Sequence, residues 1–167
     1  MKPRYLCQQH AHEFCQNLHK ADRFWEQAMS SGMEAVNCQN FTQAQYCFGA
    51  AYEAATIILD HQLSGTITAE NASNTLLAAQ YLATALVQQY REHEAREVLV
   101  QLHKKLTFLC RNPQVNQALR QLLCDCLIPY AEKLHDIVLE QLDDGKAGDY
   151  ERSKPGRFWV QASSCYH

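Results

Sequence analysis

Residues 25–60 read WEQAMSSGMEAVNCQNFTQAQYCFGAAYEAATIILD. Small residues recur at Ala28, Gly32 and Ala35 in the first half and at Ala44, Ala51 and Ala55 in the second. At helical spacing each set lines one face, and such a face lets a second backbone come close. Trp25, Met29 and Val36 on the first helix and Phe41, Phe48 and Ile58 on the second are the bulky residues that fill the space between them. Gln39-Asn40-Phe41 interrupts the period and predicts a turn. The stretch therefore reads as two amphipathic helices folded back on one another. Their outer flanks are still apolar, so the hairpin needs neighbours.

This spacing resembles the tetratricopeptide repeat, a helix-turn-helix unit of roughly 34 residues. With Trp25 as the first position, Gly32 falls on the family's glycine, Ala44 on its strict alanine, Phe48 on its aromatic and Ala51 on its second alanine. Ala28, Ser31 and Thr56 replace its usual tryptophan, leucine and proline. A degenerate second copy begins at Leu76 and places Ala83, Ala95, Leu99 and Leu102 on the equivalent positions.

The resemblance implies an all-α fold of stacked antiparallel helix hairpins, a right-handed superhelix or bundle of about six helices. It also implies that a peptide or partner helix is bound along the first helix of each pair. That groove takes Glu26, Met29, Met33, Val36 and Asn37 from the first unit and Gln80, Thr84, Gln88 and Gln89 from the second. The lining is weakly charged and lacks the family's basic clamp for a terminal carboxylate, which favours an apolar or amide-rich ligand. The competing expectation is that the N-terminal helix covers Met29 and Val36.

The totals agree with a helical interaction module. A chain of 167 residues favours one domain with its own core. Six glycines and four prolines are too few for an all-β chain dense in turns. A net charge of −3 without a Lys/Arg stripe argues against nucleic acid. With no apolar signal core and no run long enough to span a bilayer, a cytoplasmic protein without a membrane partner is expected. Eight cysteines lie mostly within helical patterns, which predicts free thiols.

Around the central hairpin, residues 3 to about 20 read as a first helix with Pro3 in its opening turn and a break near Lys20-Ala21-Asp22. Leu63 to Thr68 reads as a loop, with Thr68 capping an alanine- and leucine-rich helix over about 69–90 that buries Tyr90. Its partner spans Glu92 to Cys110 and leaves Arg96, Lys104 and Lys105 to solvent. Asn112-Pro113 predicts the start of a last helix to about Asp143, kinked near Leu127-Ile128 by Pro129. Residues 1–143 form the domain. Residues 144–167 are a flexible tail, or else a docking tail that seats Phe158 and Trp159 in a groove of this molecule or of a neighbour, and leftover apolar surface is the expected route to a homodimer.

His12, Cys15 and His19 stand three and four residues apart, so one continuous helix would aim all three at an N/S-seeking metal. A metal- or redox-responsive regulator is thus the alternative to an adaptor, with Cys38 and Cys47 across the first turn as a second thiol pair. Cys124 and Cys126 are too close in sequence to bond to each other and read as core thiols. No nucleophile elbow, phosphate loop, dinucleotide fingerprint or zinc-protease motif is present, so no catalytic residue and no cofactor is assigned.

Overall fold

The helix ending at Asn37 and the one beginning at Phe41 are joined by a turn that satisfies its own backbone. Gln39 takes a left-handed conformation (φ 56°), its N–H donates to the Val36 carbonyl (2.8 Å), and the Asn40 N–H reaches back to Ala35 (2.8 Å). This is a Schellman closure. The second hairpin repeats it: Tyr90 has φ 58°, its N–H bonds Val87 (2.9 Å), and the Arg91 N–H bonds Leu86 (3.0 Å). Both hairpins fall where the sequence placed them. Tyr90, expected inside, stands outside at 82% exposure because the turn carries it past the helix end.

The structure is a computed structural model that describes residues 5–61, 68–134 and 136. The helices are α1 (Gln8–Gln16), α2 (Leu18–Asn37), α3 (Phe41–His61), α4 (Ala69–Val87), α5 (Glu92–Arg111) and α6 (Gln117–Leu122). After α6 comes a π-helical turn, Leu123–Leu127, and then further helix over 128–134. The fold is all-α, with no strand among the described residues. Consecutive helices pack on one another, α3 holding α2 on one side and α4 on the other.

Phe48 is the centre of this stack. A methyl group built on Gly32 would lie 2.4 Å from the Phe48 ring, so only glycine lets α2 sit there. Tyr81 of α4 stacks against the same ring at 5.0 Å between centroids. All the positions that carry the repeat resemblance are buried: Gly32, Ala44, Phe48 and Ala51 in the first pair, Ala83, Ala95, Leu99 and Leu102 in the second.

Several boundaries differ from expectation. Residues 5–7 are not helical; Cys7 caps α1, its Sγ accepting from the His10 N–H at 3.4 Å. The break before α2 falls at Asn17, whose side chain caps the Lys20 N–H (3.1 Å), and not at residues 20–22. Asp22 is an equally good capping residue, but the helix runs through it. Asn112 ends α5 and turns the chain, its Oδ1 accepting from Gln114 (2.9 Å), so that Val115 reaches the core. The new helix starts one turn later, with Asn116 capping Leu119 (2.8 Å). The break expected near Pro129 is the π-helical turn just before it. The proline ring crowds the carbonyl of Asp125 and brings no N–H, and the wider turn makes room.

Thr68 caps α4 as expected, in a reciprocal box with Asn71. The predicted loop at 63–67, the helix end near Asp143 and the tail with Phe158 and Trp159 lie outside the described residues.

Candidate partner-binding surface

The residues assigned to the groove divide into three groups. Met29 and Val36 are 8% and 7% exposed and belong to the core. The N-terminal helix is not what covers them: α1 packs through Phe14 on Ala21, Ala54 and Ile58, a separate cluster that also takes Leu6. Glu26, Asn37 and Gln88 are exposed and Met33 is half-buried. Gln80 and Thr84 are half-buried and already engaged. The Tyr130 hydroxyl donates to Gln80 Oε1 (3.2 Å), and Thr84 Oγ1 donates to the Gln80 carbonyl (3.0 Å). Gln89 also turns inward, donating to the carbonyls of Phe41 and Ala85, both at 3.0 Å.

The helix after Pro129 therefore covers the Gln80 end of the α4 half, while Gln88 at the other end stays exposed. Burial pushes the Tyr81 hydroxyl pKa up, and the neighbouring Tyr130 adds to this. Deeper in, burial raises the Tyr52 hydroxyl to about 12. On the α2 half, Glu26 and Asn37 are exposed and Met33 is half-buried, while Met29 and Val36 are buried.

An extended N-terminal arm is a second feature that the residue pattern did not announce. Glu53, 9% exposed on α3, receives the Tyr5 N–H (3.0 Å) and the Leu6 N–H (2.7 Å). The Tyr5 ring lies on Gly49, where a methyl group would come within 2.5 Å of it. Gln45 donates to the Tyr5 hydroxyl (3.3 Å) and accepts from Arg91, which also pairs with Glu94 (2.6 Å). The arm is thus tied to the start of α5. A carboxylate at an inward position, between Tyr52 and Ala54, was the one sequence signal of this.

His12 and Cys15 sit on α1, and His19 lies beyond the Asn17 break on α2, so the continuous helix that would align them is missing. His12 contacts Gln16 (2.9 Å) instead, and among the described residues no group of three His, Cys, Asp or Glu is arranged to hold a metal. A cleft of about 250 Å³ between α1 and α2 is lined by His10, Phe14, Lys20, Arg23, Phe24 and Gln27. Lys20 pairs with Glu13 there at 2.5 Å, and Arg23 lines the same cleft. Lys105, expected in solvent, instead pairs with Asp60 of α3, and burial lowers its pKa.

The expectation of free thiols holds for Cys7, Cys15, Cys38, Cys47 and Cys126 among the described residues. It fails at Cys110 and Cys124, which form a disulfide with Cα atoms 6.5 Å apart. Nor are Cys124 and Cys126 core residues: both are exposed, because the π-helical turn gives its buried positions to Leu123 and Leu127. No described helix is long and apolar enough to cross a membrane. Compared with known proteins, the chain matches no family model, no curated protein and no solved structure.

Proposed function

We propose that the chain is a tetratricopeptide-like interaction module, an adaptor or chaperone-like binder, which offers the outer face of α2 and the end of α4 to a peptide or partner helix. One observation carries this reading. The positions that match the repeat are buried in the two hairpins, while Glu26, Met33, Asn37 and Gln88, which the resemblance gives to the ligand, keep surface on α2 and α4. Their chemistry is amide and thioether with a single carboxylate, which suits an amide-rich or apolar segment better than an acidic tail. The tail carrying Phe158 and Trp159 is a candidate occupant in this molecule or across a homodimer, and the cytoplasm is the compartment that fits the sequence.

The experiment is a pull-down from the source cell with the full chain, with the chain lacking residues 144–167, and with Met33→Glu and Gln88→Glu. A negative charge introduced into the lining abolishes capture of a specific partner if the surface is right. Deleting the tail increases capture if the tail competes for the groove. Unchanged capture in both surface variants overturns the assignment.

A redox-responsive regulator is the second reading. The Cys110–Cys124 disulfide favours it, in place of the N-terminal His and Cys residues.

A further inference from the structure

We propose that the Cys110–Cys124 disulfide is a redox clamp that holds the helix after Pro129 over the Gln80 end of α4. The proposal rests on the reading above only in taking α4 as part of the partner surface.

The bond joins the last turn of α5 to the π-helical turn, two segments 14 residues apart in sequence. Beyond it, Tyr130 reaches Gln80, and Ala131 and Leu134 are buried. Between the bond and Tyr130 the α-helical hydrogen-bond pattern is interrupted. The π-helical turn leaves the regular hydrogen-bond register, and Pro129 contributes no N–H. Without the crosslink, the helix over 128–134 keeps its apolar side chains, the Tyr130–Gln80 hydrogen bond and an exposed contact of Glu132 with His103 of α5 at 3.3 Å. With it, the start of that helix is fixed to α5, and Tyr130 stays within reach of Gln80.

Access favours reduction from outside. Cys124 is exposed and Cys110 half-buried. The thiolate of a dithiol reductant attacks Cys124 Sγ; the S–S bond breaks, and Cys110 leaves as a thiolate and takes a proton. The second thiol of the reductant then attacks the mixed disulfide at the reductant's own sulfur and releases Cys124 as a thiol. Two electrons and two protons pass to the protein, and the reductant leaves as its disulfide. Cys126 stays outside the exchange as a free, exposed thiol on the same turn.

The test uses the full chain oxidised with oxidised glutathione, then reduced with dithiothreitol. Amide exchange reads the helices, and hydroxyl-radical footprinting reads Tyr130 and Tyr81. Reduction accelerates exchange over 117–134 by roughly a hundredfold, the scale set by releasing a loop of this length. It also raises modification of Tyr130 and Tyr81 several-fold and leaves 41–61 unchanged. Cys124→Ser behaves as the reduced protein in both buffers, and Cys126→Ser switches like the parent. The clamp is overturned if both Cys110 and Cys124 still alkylate after oxidation, or if exchange over 117–134 is the same in both states. If the clamp opens while Met33→Glu and Gln88→Glu leave partner capture untouched, the groove reading fails and the clamp stands.

Discussion

The two ends of the helix stack are closed by different chemistry. At the N-terminal end an extended arm gives two backbone N–H groups to the buried carboxylate of Glu53 and lays Tyr5 on Gly49. At the C-terminal end a helix buries Leu119, Leu123 and Leu127 and is tied to α5 by a disulfide. The first closure is non-covalent and specific, because a buried acceptor without its donors is costly. The second is covalent and reversible by electrons. The contrast shows how one stack can keep one end shut and make the other conditional.

The largest effect that would sharpen this contrast is at the crosslink. Cys124→Ser should cost about 3 kcal/mol in oxidising buffer, the chain-entropy value for a loop of this length. It should cost almost nothing with reductant present. Thermal melts in the two buffers check this, and equal losses in both would erase the distinction between the ends.

Tyr52 provides a control on α3, the helix that anchors the N-terminal arm. Its hydroxyl is raised to about 12 in the fold against an ordinary value of 10.0. Between those limits the unfolded chain loses the proton and the folded one keeps it, so stability falls as pH rises from 10 towards 12. The loss is roughly 2–3 kcal/mol. Tyr52→Phe should remove most of this decline and leave the smaller share due to Tyr81, as denaturant titrations at pH 9 and pH 11.5 would show.

At the other end, Glu53→Ala should cost about 2 kcal/mol by orphaning the Tyr5 and Leu6 donors. It should free the amides of residues 5–7 to exchange in either redox state. Glu53→Gln should lose less, since the amide oxygen still accepts. A redox-dependent response to Glu53→Ala would show that the two ends are coupled.

The smallest effects lie at the hairpin tips, where non-glycine residues hold positive φ. Gln39→Gly and Tyr90→Gly should each stabilise by roughly 0.5–1 kcal/mol in urea titration, because glycine takes that conformation without strain. A loss at Tyr90 alone would mean that its exposed ring makes a contact Gln39 does not.

The pairing of helices was legible because Gly32 and the alanines have one physical use, close approach, and Phe48 supplies the mass that fills it. Capping was legible at Thr68, where Asn71 three residues on completes a reciprocal box. It misled at Asn17 against Asp22 and at Asn112 against Asn116, where two equivalent cap residues lie within a turn or two and tertiary packing chooses between them. Met29 and Val36 were assigned to the groove although they are core, since an apolar stripe has the same period whether it faces a ligand or a neighbouring helix. The disulfide was hidden for another reason: 14 residues and a change of helix separate its two cysteines, so no local spacing relates them.

Photo-crosslinking in the source cell tests the central claim, that α2 and α4 present the partner surface, most directly. A benzophenone amino acid would replace Met33 on α2, with Glu97 on the far side of α5 as the control position. The account predicts one discrete adduct from position 33 and none from position 97. An adduct from position 97 with none from position 33 would contradict it.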